Sequence, residues 1–238
     1  MSMESSVFQA KEISKRYGNS FALTNISFTL TAGQVTGLIG PNGSGKTTLL
    51  EIGAGLLPAD SGIVQVSGRN VPPTERRNHL FYLPDHLIPY PDCAAMKVRN
   101  FFCDVFSIDF QTRERITELT GIGPVLGKRV GQLSKGFKKR LGLAISLWSP
   151  QPILLLDEPF DGFDLRQTLS IMEVLKDTAK AGRTLLLSIH QLMDAERVCD
   201  RLVLLNQGRL VAQGNLDDLR NQAKTPGSGL EEVFLALT

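Results

Sequence analysis

The sequence predicts an α/β fold with a mainly parallel core sheet, an added antiparallel β part and a helical insertion. Three observations predict it. Apolar runs alternate with helical patterns, as at Val35–Ile39, residues 153–156 and Thr184–Ile189. Such continuous runs mark strands buried on both faces of a sheet. Period-two and hairpin signals near both ends add antiparallel pairing, and between residues 85 and 148 strand texture yields to Pro-rich turns and helical pattern.

Taken in order, Ile26, Phe28 and Leu30 alternate with Ser27, Thr29 and Thr31, the period of a half-buried strand. Ala32-Gly33 turns the chain into the strand at 35–39. A glycine-rich loop follows, and TTLLEIGAGL then reads as a helix. Residues 63–66 and 80–83 read as short strands. Residues 165–181 read as a helix: Leu169, Met172 and Leu175 share a face, Asp164 can cap the start, and Gly182 follows the end. After the strand at 184–189 come a helix and a strand over 201–205. Gln207-Gly208 then turns toward Leu210-Val211, a hairpin signal. TPGSG at 225–229 is a flexible joint before a last short helix over 230–237. No internal repeat is visible.

Composition narrows the class. A chain of 238 residues with 42% hydrophobic content can bury a real core. A net charge of +2 argues against bulk nucleic-acid binding, which calls for a strongly basic face. Cys93, Cys103 and Cys199 are scattered, so neither a disulfide framework nor a zinc site is expected, and they read as small hydrophobes in a reducing cytosol. The N-terminal stretch lacks the apolar run of a secretory signal. The apolar runs are far shorter than the roughly 20 residues of a spanning helix.

The segment GPNGSGKT, residues 40–47, matches GxxxxGK[ST] in full. Gly40, Pro41, Asn42, Gly43, Ser44 and Gly45 form a loop in which Gly43 and Gly45 have no Cβ, so backbone N–H groups can curl around a phosphate. Lys46 brings charge to the β- and γ-phosphates. Thr47 offers a hydroxyl to Mg²⁺, and the next helix points its positive end at the same anion. A chance match occurs on the order of once in a hundred chains of this length. The flanking strand and helix supply the required context. The fold class is therefore a P-loop NTPase. Residues 1–84 and 149–222 form the expected ATP-binding core, 85–148 a helical subdomain and 223–238 a short tail.

Two further strand ends carry polar residues. ILLLDEP places Asp157 and Glu158 just past an apolar run. Buried carboxylates need partners. Mg²⁺ would pair Asp157, leaving Glu158 to orient or deprotonate an attacking water. Alone, the pair also fits a helix-capping loop. TLLLSIH ends on His190, which is either a satisfied structural histidine or a hydrogen-bond partner of the γ-phosphate. Asp164 is a helix cap, a functional residue, or both.

No base-reading NKxD of a GTPase occurs, and the insertion has no arginine-rich lid of a small nucleotide kinase. The order Tyr17 in RYG, GPNGSGKTT, LSKGF, ILLLDEP, Asp164 in FDGFD and His190 instead resembles the ATP-binding cassette (ABC) family over nearly the whole chain. The resemblance implies roles. Tyr17 looks like the residue that stacks on adenine, and residues 40–48, through Thr48, like the phosphate loop. Asp157 resembles the magnesium carboxylate, Glu158 the catalytic base and His190 the switch histidine. Asp164 resembles the acidic residue of the loop between subunits. LSKGF keeps Ser134 and Gly136 of the LSGGQ signature, whose helix start faces the γ-phosphate held by a second subunit. Lys135 and Phe137 depart from the pattern. Lys135 either adds charge near the phosphate or faces water, while Lys138, Lys139 and Arg140 read as a solvated face. Where many members carry a Gln after a strand, Asp85 stands here, a candidate for Mg²⁺ or water.

The resemblance further implies an ATP-hydrolysing subunit that closes head-to-tail on Mg-ATP, with an identical or a similar partner. It would serve separate integral membrane subunits at the inner face of the cell membrane, in the exporter branch. Aromatic residues in LIPYPD and RNFFCDVF either line a groove for the membrane partner or pack the core. The alternatives are a soluble ABC-type ATPase in assembly, repair or translation, and a regulatory nucleotide-binding partner without turnover.

Overall fold

The computed structural model describes residues 6–238, so the first five residues of the segment 1–84 lie outside the described residues. Two long strands, β1 (Ser6–Tyr17) and β2 (Ser20–Thr31), precede β3 (Val35–Ile39) and α1 (Lys46–Ala54). Next come β4 (Ser61–Val66), β5 (Arg69–Asn70) and β6 (Leu80–Leu83), then α2 (Ala95–Val105), α3 (Phe110–Thr120) and α4 (Lys135–Trp148). The chain continues through β7 (Ile153–Asp157), α5 (Leu165–Lys180), β8 (Thr184–Ile189), α6 (Leu192–Val198), β9 (Arg201–Asn206) and β10 (Arg209–Gly214). It ends with α7 (Leu216–Ala223) and α8 (Leu230–Leu237).

The strands form two sheets. One is antiparallel, in the order β2-β1-β4-β5; the other runs β10-β9-β3-β8-β7-β6 and is parallel except for β10. Side chains alternate across each parallel strand. Leu154, Leu156, Leu185 and Leu187 face α5 and α6, while Ile153, Leu155 and Leu186 face α1 and the antiparallel sheet. Both faces are thus covered, which is why these strands read as unbroken apolar runs. Helices α2, α3 and α4 enclose a third cluster around the buried Trp148.

Register decides where the polar strand ends emerge. Ile39 pairs with Ile189, Asp157 with Ser188, and Leu83 with Leu156. Gly40, His190, Glu158 and Asp85 therefore leave the sheet at one edge, the carboxyl ends of its strands, where open α/β sheets bind ligands.

Three departures from the sequence reading have physical reasons. Strand β1 gives no period-two signal because register shifts interrupt it and Glu12 adopts φ 54°. Phe8 and Ala10 are buried before that break, Ile13 after it. In α5 the buried stripe is Thr168, Ile171, Met172, Leu175 and Ala179; Leu169 lies one position off it and is exposed. The aromatics of α2 and its C-terminal cap divide: Cys103 is buried and Phe102 and Phe106 pack on the third cluster, whereas Phe101 and Val105 are exposed, Phe101 against the ring of Tyr90. Among the described residues no helix is long and apolar enough to cross a membrane.

Leu155 is fully buried between the two sheets. Leu155→Ala is expected to lower unfolding stability by about 2–5 kcal/mol, read by urea denaturation. A loss under about 1 kcal/mol would show that this layer is not close-packed.

Candidate active site

The loop between β3 and α1 is shaped by glycine. Gly45 has φ 102°, and a Cβ there would lie 2.7 Å from Ala22 O. At Gly40 a Cβ would lie 2.3 Å from Leu205 O. Only glycine lets the loop run this close to β2 and β9. Gly45 is also the N-cap of α1 and brings no side chain to its N–H groups, which remain available to an anion. The Ser44 hydroxyl is buried without a hydrogen-bond partner. An orphaned buried hydroxyl in a loop of N–H donors fits a phosphate group.

Lys46 is only 7% exposed and folds back over the loop. Its Nζ donates to Gly40 O at 2.8 Å and Pro41 O at 3.4 Å, and lies 3.9 Å from Glu158 Oε1. Burial holds its pKa below the usual lysine value, against the opposing pull of Glu158 and Asp157.

Asp157 ends β7 in the interior. Thr47 Oγ1 donates to its Oδ2 at 2.8 Å, and Ser188 Oγ donates to its Oδ1 at 2.5 Å. The phenol of Tyr82 is buried close by, and burial, then the charges of Asp157 and Glu51, raise its pKa strongly. A buried carboxylate held by two hydroxyls and facing a phosphate loop has the donor chemistry of a hard-cation site, together with Thr47.

Glu158 follows at φ 49°, in the left-handed region. Its Oε2 lies 2.6 Å from His190 Nδ1, so the carboxylate sits between an imidazole and the Lys46 ammonium. A cleft of about 330 Å³ is lined by Ala22, Asn42, Gly43, Gly45, Lys46, Thr47, Thr48, Asp85, Asp157 and Glu158.

Asp85 is on this wall, yet its carboxylate is bonded to Lys139 and lies 2.8 Å from His86 Nε2. In this structure the position carries an ion pair. The solvated-face reading is corrected at Lys139 and Arg140. Lys139 is buried, and Arg140 donates to Thr120 O at 2.8 Å and stacks over Phe163.

The remaining expected residues stand apart from the cleft. Ser134 caps α4, accepting from Phe137 N–H at 3.4 Å, and is not among the lining residues. Gly136 packs on the loop before α5, where a Cβ would lie 3.3 Å from Gly162 O. Lys135 faces neither water alone nor the cleft; it pairs with Asp161 at 2.6 Å. Asp164 caps α5 by accepting from Gln167 N–H at 2.9 Å. Tyr17 closes β1 with its ring half exposed.

Sequence reasoning missed Ser188 and Lys139. Ser188 had a signal, a polar residue inside an apolar strand. Lys139 had none, because its partners lie far away in sequence.

A phosphate loop at the end of a central strand, with a carboxylate pair at a neighbouring strand end, defines a nucleoside-triphosphate-binding protein of the P-loop NTPase class. The family described as ABC transporter matches residues 23–161. The probable multidrug ABC transporter ATP-binding protein YbhF of Escherichia coli is 31% identical over 97% of this chain, which spans 41% of that relative. Nod factor export ATP-binding protein I of Burkholderia lata is 33% identical over 86% of the chain and 69% of its own length. A solved ATP-binding subunit of an ABC transporter superposes with a TM-score of 0.87 at 28% identity, covering 97% of this chain and 99% of its own. The chain belongs to the ABC transporter family and carries that family's ATP-hydrolysing domain.

Ser188 binds both Asp157 and the N–H of Glu158. Ser188→Ala leaves a buried carboxylate short of a donor and is expected to cost about 1–3 kcal/mol in urea unfolding. No measurable loss would mean the hydroxyl is dispensable to the site's framework.

Proposed function

We propose that this chain is the ATPase subunit of an exporter, working as a pair with an identical or similar ATPase on separate integral membrane subunits. The pair would sit at the inner face of the cell membrane. One observation carries the reading: the cleft holds the phosphate loop and Glu158, but the capped start of α4 with Ser134 is not part of it. A half-site of each kind on one chain is completed when two chains meet head to tail. The names of the multidrug and Nod factor export relatives support export. Exposed Ile88, Tyr90, Phe101 and Val105 support a membrane-subunit contact on the helical segment 85–148.

Within the cleft, the loop N–H groups and Lys46 bind the phosphates. Thr47 and Asp157 would hold Mg²⁺, which would supply positive charge to offset that of the phosphates. Glu158 accepts the proton of the attacking water. His190, whose Nδ1 lies 2.6 Å from Glu158 Oε2, orients that carboxylate. Tyr17 stacks on adenine, and Ser134 and Gly136 of the partner chain close over the phosphate, with Asp164 near the seam. Closure moves the membrane subunits, and hydrolysis reopens the pair.

Glu158→Gln is expected to lower ATP turnover by about 10²–10⁴-fold and to accumulate an ATP-bound dimer on sizing. A monomer under excess Mg-ATP would count against the mechanism. Ser134→Arg is expected to abolish turnover while leaving ATP binding by the isolated chain intact. Capture of the tagged chain from detergent-solubilised membranes should bring an integral membrane protein in about equal amount; recovery only with soluble assembly factors would reject the transporter role.

A further inference from the structure

A buried ammonium needs acceptors, because its charge is otherwise uncompensated in a low-dielectric surrounding. Lys139 has two. Its Nζ donates to the carboxylate of Asp85 and, at 2.9 Å, to the backbone carbonyl of Glu158. The second contact is unusual in what it restrains. Glu158 occupies the left-handed region at φ 49°, which a residue with a side chain keeps only where its surroundings impose it. On one side its N–H donates to Ser188 O and Ser188 Oγ, each at 3.2 Å. On the other side Lys139 holds its carbonyl. The peptide groups flanking Glu158 are therefore fixed by two different elements, β8 and α4. That backbone sets where the carboxylate points, between His190 and Lys46.

The same helix start holds the rest of the loop. Lys135 pairs with Asp161, and Arg140 stacks on Phe163 with its guanidinium carbon 5.3 Å from the ring centre. The basic residues that depart from a plain solvated face thus grip the segment between Glu158 and α5. Among the described residues, Lys139 is the α4 side chain that hydrogen-bonds the peptide of Glu158 itself.

We infer that Lys139, anchored by Asp85, is a positioning residue for Glu158: it fixes that residue's carbonyl and so aims its carboxylate at the attacking water. This rests on the reading of Glu158 as the general base. Asp85 serves as the lysine's counter-ion, and the metal is left to Thr47 and Asp157. Without the ammonium, the Glu158 peptide loses a restraint and the carboxylate is aimed less well, while the phosphate loop that binds ATP is untouched. The loss should therefore fall on kcat rather than on ATP affinity.

The test uses the full chain. ATP turnover is measured against ATP and against Mg²⁺, and binding of the non-hydrolysed analogue adenylyl imidodiphosphate is measured separately. Lys139→Met is expected to lower kcat by about ten- to a hundredfold, with KM and analogue affinity within about twofold of wild type. Lys139→Arg, which keeps a donor, is expected to recover most of the loss. Asp85→Asn is expected to lower kcat with an unchanged Mg²⁺ requirement. A folded Lys139→Met with wild-type kcat would overturn the inference, as would equal losses in kcat and analogue affinity. An Asp85→Asn protein that needs about tenfold more Mg²⁺ would return Asp85 to the metal and overturn its counter-ion role. Should Lys139→Met not fold, Asp85→Asn and Lys139→Arg decide: wild-type kcat in Asp85→Asn, or no more activity in Lys139→Arg than in Glu158→Gln, overturns the inference. A wild-type chain without ATP turnover would instead reject the catalytic reading as a whole.

Discussion

The buried carboxylate of Asp157 is the constraint around which the site is assembled. An ionised carboxylate in the interior is costly unless donors surround it. Here the donors come from two other parts of the chain: Thr47 from the start of α1 and Ser188 from β8. Each bond ties the end of β7 to another element. The phosphate loop is thus held against the carboxylate pair, and the neighbouring strand is held in register with both. The group that suits a hard cation is also the group that joins the elements around the cleft.

Electrostatics in the cleft follow from that arrangement. Lys46 sits near Glu158 and Asp157, which oppose the lowering effect of its burial. Glu158 lies between a cation and an imidazole. The N-terminal ends of α1 and α4 are finished differently. Gly45 leaves the start of α1 open beside the loop, whereas Ser134 caps α4 away from it.

Helix α4 has a second connection to the chemistry through its basic residues. In sequence Lys135 reads as facing either the phosphate or water, and Lys139 and Arg140 as a solvated face. In three dimensions they meet Asp161, Asp85 with the Glu158 carbonyl, and Phe163 with the Thr120 carbonyl. Periodicity reports which side of a helix is apolar, but it does not report what a long cationic side chain reaches.

Much of the fold and of the site was legible in the residues alone. Two-sided burial makes β3, β7 and β8 unbroken apolar runs, and phosphate chemistry imposes the glycine and lysine spacing of residues 40–47. The helix cap at Asp164 was legible because a local hydrogen bond leaves a local signature. Strand β1 was not legible, because its bulges break the alternation that marks a strand. The contacts of Ser188, Lys139 and Asp85 were decided only by tertiary structure. Their partners are set by strand order and register, which bring together residues distant along the chain. Local sequence therefore determined the elements and the phosphate chemistry, and packing determined which charges meet.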